Sequence, residues 1–304
     1  MKPIDAPIRR SVLITPASRP ERILRAARTP CDSVVIDLED GVPAAAKSQA
    51  RAHAVQALAG VDFGGRERAV RINAPGTAEL AADLHALDLA RLDAIWVPKV
   101  ECAQQVLDLA AVLSRPLPLI LSIETPAGLF AAEAIAAVGA AVDVRSALFF
   151  GSGDYCMETG ARPGGAGLAV PRALIVAAAA AHRLQAIDAA YFLDPRDADA
   201  TGADARIARE FGFDGKLVFH PDQIASTNEV FTPLPAEVHR ARRLIHAFEA
   251  ARDRGEGTLI VDGSFLAVDT VQPLRRVLWM ADQLGLRLIE DADATSDDVT
   301  ETSP

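Results

Sequence analysis

The chain is short of aromatic side chains, which make up only 5% of its 304 residues, and it holds just three cysteines. With so few rings, Ala, Val, Leu and Ile must supply most of the bulk of any core. Cys31, Cys102 and Cys156 are odd in number and lack the spacing of metal ligands. That argues against a disulfide framework or a cysteine-based zinc site, and fits a reduced cytoplasmic setting. The first ten residues have no apolar core of signal-peptide type, and the most apolar helical stretch, residues 173–181, is too short to span a bilayer. A soluble, intracellular protein with no membrane partner is expected. Positive charge is also in deficit: 31 Lys and Arg stand against 41 Asp and Glu, a formal net charge of −10. This balance argues against non-specific binding to nucleic acid or to an anionic membrane surface. An anionic small ligand, which needs only a local basic patch, stays open.

What the chain has in quantity is apolar residues, half of the total. Two runs organise it, Pro-Leu-Ile-Leu-Ser-Ile-Glu-Thr-Pro at 118–126 and Leu-Phe-Phe-Gly-Ser-Gly-Asp-Tyr at 148–155. Short apolar runs bounded by Pro or Gly read as strands buried on both faces. With a helix over 127–138 between them they form a parallel βαβ unit. Glu124 and Asp154 then sit at the carboxyl ends of neighbouring strands, where α/β proteins carry their chemistry. Two such acids with no fixed lysine between them point to a hard divalent cation, Mg²⁺. The alternative is that each acid caps the helix after its strand.

Further strands are predicted at 11–16, 33–39, 68–73, 94–100, 186–191 and 216–220, alternating with helices. Eight strand–helix alternations with short connections read as a closed (β/α)₈ TIM barrel over residues 1–233, with an open doubly wound sheet as the alternative. Residues 234–290 form a C-terminal helical extension, with helices at 237–252 and 271–284 and a short strand at 258–262. It is expected to pack across a subunit boundary. Residues 291–304 are acidic, Ser/Thr-rich and poor in apolar residues, so a disordered tail is expected.

Polar groups cluster at the predicted strand ends: Asp37, Glu39 and Asp40, Arg71 and Asn73, Lys99, Glu124, Asp154 and His220. The planar fork of Arg71 suits a substrate carboxylate or a developing oxyanion, with a salt bridge to Asp37 or Glu39 as the bland alternative. Asp37, Glu39 and Asp40 read as supports that orient Arg71 and Lys99. Lys47 and Arg51, one helical turn apart, read as a solvated face. His220 reads as strand-end packing, and Cys156, with no histidine nearby, as structural.

Taken in order, these stretches resemble the citrate lyase β-subunit-like family of the HpcH/HpaI aldolase superfamily. The resemblance runs from about Arg10 to Leu278. It is carried by Arg10-Ser11-Val12-Leu13, Asp37-Leu38-Glu39-Asp40-Gly41 with Lys47, Arg71-Ile72-Asn73 and Val97-Pro98-Lys99-Val100-Glu101. It continues through Ile123-Glu124-Thr125, Phe150-Gly151 with Asp154-Tyr155, Gly212-Phe213-Asp214-Gly215-Lys216 and His220-Pro221-Asp222-Gln223-Ile224, then Asn228 and Phe231. It implies a (β/α)₈ barrel that binds Mg²⁺ through Glu124 and Asp154 and substrate through Arg71. The implied reaction cleaves a malyl-, citramalyl- or citryl-type CoA thioester into a 2-oxo acid and an acyl-CoA. It also implies a homo-oligomer, a trimer or hexamer. Two departures stand out. Asp262-Gly263-Ser264-Phe265-Leu266-Ala267 puts Ala267 where many members carry an aspartate that is a catalytic acid in several CoA lyases. Gly153 stands where many carry Glu, and its small size is expected to widen the pocket. The alternatives are a β subunit acting on a carrier-protein thioester, or a barrel that has lost turnover and only binds ligand. Arg19 and Arg22 are candidates to meet CoA phosphates on charge alone.

Overall fold

The computed structural model describes residues 6–286; the tail expected at 291–304 lies outside them. Eight strands run parallel and close on themselves: β1 Ser11–Pro16, β2 Ser33–Asp37, β3 Glu67–Arg71, β4 Ala94–Val97, β5 Leu119–Ile123, β6 Ala147–Phe150, β7 Gln185–Asp188 and β8 Gly215–Val218. The ring is sealed by β8 pairing with β1, Val12 opposite Leu217 and Leu13 opposite Val218. The expected barrel is therefore what the chain forms, and the open sheet is not.

Strand alternation sorts the core into two shells. Inside the barrel lie Val12, Val35, Ala69, Trp96, Ile120, Phe149, Ile187 and Leu217. Trp96 fills the interior, its Nε1 donating to Ser122 Oγ at 2.8 Å and its ring edge-on to Phe149. The outward-facing residues, among them Val34, Val70, Ile95, Leu121 and Leu148, pack under a helical layer. The amino end of the barrel is closed by Arg9, which is buried and donates to Glu67, Gln185 and the Arg145 carbonyl. Outside β7 and β8, Lys216 Nζ reaches Asp188 at 2.8 Å and Asp204 at 2.6 Å, and Arg172 also pairs with Asp188. This quartet, buried except for the partly exposed Asp204, is charge-balanced, which is how buried ions are tolerated.

The helical layer contains α1 Pro20–Ala26, α2 Lys47–Gly60, α3 Ala78–Ala86, α4 Ala103–Val112, α5 Pro126–Phe130, α6 Ala132–Val142, α7 Ser152–Thr159, α8 Ala169–Ala181, α9 Ala198–Phe211 and α10 Asp222–Phe231. Two features depart from expectation. The helix between β5 and β6 is broken at Ala131, whose N–H is shared between the Ala127 and Gly128 carbonyls; an alanine-rich run gives no sign of this. The stretch after Phe150 is not strand end and loop but α7, closed by Gly160 in the left-handed region.

The chain divides between Phe231 and Thr232 into two compact units. The second contains α11 Pro235–Asp253, β9 Leu259–Val261, β10 Ser264–Leu266 and α12 Val271–Gln283. Where one strand was expected there is a hairpin, turned by Asp262 at φ 49° and Gly263 at φ 71°. Two central residues with positive φ match the twist of the paired strands. Leu244, Phe248, Leu266 and Val271 form this unit's own core.

Barrel closure depends on one glycine. A Cβ on Gly215 would collide with the Arg9 carbonyl oxygen, a backbone atom with nowhere to move. Gly215→Ala is expected to destabilise the protein by about 1–3 kcal/mol or more, read as a lower denaturant midpoint. An unchanged midpoint would show that β1 and β8 do not need this approach.

Candidate active site

The carboxyl ends of β2 and β3 meet in register, with Asp37 opposite Arg71. Arg71 Nε and Nη2 donate to the two oxygens of Asp37 at 2.7 and 2.8 Å. Asp37 also accepts the N–H of Glu39 at 2.8 Å and of Gly41 at 2.9 Å, so this buried carboxylate is fully partnered. The remaining nitrogen of the fork, Nη1, lies 3.4 Å from Glu39 Oε2. Burial opposes the charge on Arg71, but the hydrogen-bonded Asp37 more than offsets it and holds the guanidinium above its ordinary value.

Lys99, past the end of β4, links two parts of the site. Its Nζ donates to Glu39 at 2.7 Å and to Asp40 at 2.8 Å. Its backbone, at φ 52°, lies in the left-handed region that non-glycine residues rarely enter. In that conformation its N–H donates to Glu124 Oε1 at 2.6 Å. Burial pushes the Glu39 carboxyl up, while on Asp40 the Lys99 ammonium outweighs burial and holds the pKa down.

Glu124 follows β5 directly and is buried. It does not cap the next helix; Thr125 does, its Oγ1 accepting the Gly128 N–H at 3.1 Å. Its other face is opened by Gly151, where a Cβ would collide with Glu124 Oε2. Burial, then the charge of Asp154, push the Glu124 carboxyl up to about 7. Asp154 is not at a strand end as expected; it lies in the first turn of α7. Lys47 and Arg51 are likewise not a solvated face. Lys47 Nζ donates to the Leu38 and Glu39 carbonyls and to Asn73 Oδ1, and Arg51 pairs with Glu79 and the buried Asp83. Asn73 donates to Asp83 through both its backbone N–H and its Nδ2. His220 is half-buried beside Asp222, and burial pushes the Cys156 thiol up.

The site thus gathers five carboxylates, Asp37, Glu39, Asp40, Glu124 and Asp154, around three cations, Arg71, Lys99 and Lys47. Formally two negative charges are in excess, and among the described residues neither Glu124 nor Asp154 has a salt-bridge partner, while the charge of Asp154 acts on Glu124. Among the described residues no group of three or more His, Cys, Asp or Glu converges as a ligand set. Two hard carboxylates are nevertheless the donor set that suits a cation completing its shell with water and substrate oxygens. The cradle left open at Gly151 fits that role for Glu124.

Sequence reasoning missed the aromatic side of the mouth. Phe192, after β7, and Phe219, after β8, are exposed and pack with ring centroids 5.6 Å apart, their planes tilted by 42°. Phe192 also covers Gly153, so the space left by the missing side chain is lined by a ring. The available signal was two large apolar residues at strand ends otherwise occupied by polar ones.

Residues 10–221 match the family model described as HpcH/HpaI aldolase/citrate lyase. A (3S)-malyl-CoA thioesterase from Cereibacter sphaeroides is 36% identical, over 91% of this chain and 95% of its own length. An L-malyl-CoA/beta-methylmalyl-CoA lyase from the same organism is 31% identical over the same shares. Among solved structures, CitE from Mycobacterium tuberculosis in complex with magnesium, acetoacetate and coenzyme A superposes with a TM-score of 0.73 at 31% identity, over 91% of this chain and 98% of that one. With a family match spanning the barrel and relatives aligned over nine-tenths of its length, the chain belongs to the HpcH/HpaI aldolase/citrate lyase family.

Proposed function

We propose that the chain is a Mg²⁺-dependent carbon–carbon lyase, cleaving a malyl-, citramalyl- or citryl-type CoA thioester into a 2-oxo acid and an acyl-CoA. The observation that carries this reading is the buried Glu124 beside Asp154, with the Arg71 fork two strands away and two negative charges in excess. Glu124 and Asp154 would hold the cation, which when bound supplies Lewis-acid polarisation of the substrate's oxygens. Arg71, fixed by Asp37 through Nε and Nη2, would turn Nη1, which lies 3.4 Å from Glu39 Oε2, to the oxygen on which charge develops. In the cleavage the hydroxyl gives its proton to water, the carbon–oxygen double bond forms, the carbon–carbon electron pair passes to the thioester enolate, and the enolate carbon takes a proton from water to give the acyl-CoA. Asp37, Glu39, Asp40 and Lys99 support this geometry: Asp37 orients Arg71, and Lys99 ties Glu39 and Asp40 to the backbone that holds Glu124.

A second reading, thioester hydrolysis, is favoured by Ala267. It follows β10, its N–H donating to Thr270 Oγ1 at 2.7 Å and its carbonyl accepting the Val271 N–H at 3.2 Å, and its methyl side chain offers no acid to protonate an enolate. Addition of water to the thioester carbonyl needs no such protonation, and a relative at 36% identity carries the name thioesterase. Arg19 and Arg22, exposed at the start of α1, are the cations we assign to the CoA phosphates. We further propose a cytoplasmic homo-oligomer, a trimer or hexamer, in which the C-terminal unit reaches a neighbouring subunit. Three free thiols support the compartment, no described helix is long and apolar enough to cross a membrane, and the exposed Ile260–Phe265 pair of the hairpin supports the contact.

Incubation of the chain with malyl-CoA and Mg²⁺ separates the two reactions by product: glyoxylate with acetyl-CoA for the lyase, malate with free CoA for hydrolysis. Loss of all turnover in chelator is expected. Glu124→Gln and Asp154→Asn are expected to weaken Mg²⁺ binding by at least about tenfold and to abolish turnover; full activity of either in chelator sinks the metal assignment. Arg71→Lys is expected to lower kcat/KM by about 100-fold, because an ammonium cannot keep Asp37 bidentate while stabilising a developing oxyanion. Near-normal kinetics would return Arg71 to a purely structural role.

The Glu124 carboxyl also sets a pH dependence. Its pKa near 7 in the folded, metal-free protein exceeds that of an unfolded glutamate, about 4.3. The folded state therefore binds more protons between these values, and its stability falls as pH rises through the window. Metal-free Glu124→Gln should be more stable than the parent at pH 8, by about 1–3 kcal/mol, and equal to it at pH 4. Mg²⁺ binding to the parent should weaken below about pH 7 as proton and cation compete. Calorimetry that found affinity flat from pH 8 to 6 would contradict this.

A further inference from the structure

The mouth of the barrel has two chemically different sides. After β2 to β6 the chain presents the charged residues described above; after β7 and β8 it presents Phe192 and Phe219. These rings are 38% and 43% exposed, high values for phenylalanine beside a buried carboxylate site. Phe192 leans on the first turn of α7: a Cβ on Gly153 would lie 3.4 Å from its Cζ and 3.6 Å from its Cε1, ordinary van der Waals contact. The ring therefore lies against the residue next to Asp154. Phe219 stands two residues beyond Leu217, which faces the barrel interior, and packs at a tilt against Phe192.

The charge count constrains what fits between these sides. Two excess negative charges are neutralised by one divalent cation. The carboxylate of a 2-oxo acid then adds one negative charge, and a second carboxylate on the same molecule would add another. That second group would face either an acidic side whose cations are already paired or two rings that offer no donor, where the adjoining His220 already lies beside Asp222. A carboxylate lodged there without a partner is costly, whereas a methyl or methylene chain gains from leaving water.

We propose that Phe192 and Phe219 are specificity-determining residues, forming an apolar wall that receives the carbon chain of the 2-oxo acid half and selects monocarboxylates over dicarboxylates. This rests on the proposed lyase reading and deepens it. The substrates it favours are thioesters of malyl or citramalyl type, and the type it disfavours is citryl, whose 2-oxo acid half carries the second carboxylate.

The test is calorimetric binding to the full chain with saturating Mg²⁺, using 2-oxovalerate, 2-oxoglutarate and glyoxylate. The first two share a carbon skeleton and differ by a terminal methyl against a terminal carboxylate. 2-Oxovalerate is expected to bind at least about tenfold more tightly than 2-oxoglutarate. Phe192→Ala, at an exposed position that should not disturb folding, is expected to weaken 2-oxovalerate by about fivefold and leave glyoxylate within about twofold. Equal binding of the matched pair, or equal loss for glyoxylate in the variant, overturns the wall. So does a variant that changes only acyl-CoA binding, which would assign the rings to the thioester arm. If none of the three acids binds, the metal and 2-oxo acid reading itself fails and this inference falls with it; tight 2-oxoglutarate binding overturns the wall alone.

Discussion

Glu124 is a buried carboxylate with no cation of its own, and the arrangement of the mouth follows from that imbalance. Asp37 is satisfied by Arg71, and Glu39 and Asp40 by Lys99, so the neighbouring cations are committed before Glu124 is reached. What Glu124 receives instead is a single backbone N–H, delivered by a lysine held in an uncommon backbone conformation. A lone dipole cannot offset both burial and the nearby charge of Asp154, which is why the carboxyl holds its proton to near neutrality. The barrel tolerates this cost because its strands are fixed elsewhere: by the interior shell around Trp96, by Arg9 at the amino end, and by the ion quartet outside β7 and β8. The charged cluster lies at the carboxyl ends of the strands, while Arg9 braces the amino end.

Much of this was legible in the sequence because it depends on local pattern. Apolar runs such as Leu119–Ile123 can only be strands buried on both faces, and eight of them separated by helix-length segments leave few topologies. Glu124 and Arg71 were legible because a charge at the end of such a run must face the mouth or be paired. What escaped depends on contacts distant in sequence. Nothing near Lys47 announces that its ammonium will serve two carbonyls of the β2 loop, nor near Lys99 that its N–H matters more to Glu124 than its side chain does. Asp154 was misplaced by a whole element because Ser-Gly-Asp reads as a turn when taken alone, although Gly160 supplies the left-handed stop of a helix. The hairpin of the second unit did carry its signal: Asp262-Gly263 is the dipeptide that a two-residue hairpin turn requires.

The two halves of the mouth also differ in how they are built. Three links of the charged half join one strand end to another, Asp37 to Arg71, Glu39 to Lys99 and Lys99 to Glu124, so a change at any of them propagates to the rest. The loops after β7 and β8 contribute none of those three links, and Phe192 of the first of them rests on Gly153. In evolutionary terms the barrel is divided into a part that is expensive to alter and a part that is cheap. Mutations in the last two loops can drift, and a lineage can try new carbon skeletons there, while the constellation that handles the reacting bond stays intact. A family descending from such a barrel would diversify in what it accepts sooner than in what it does.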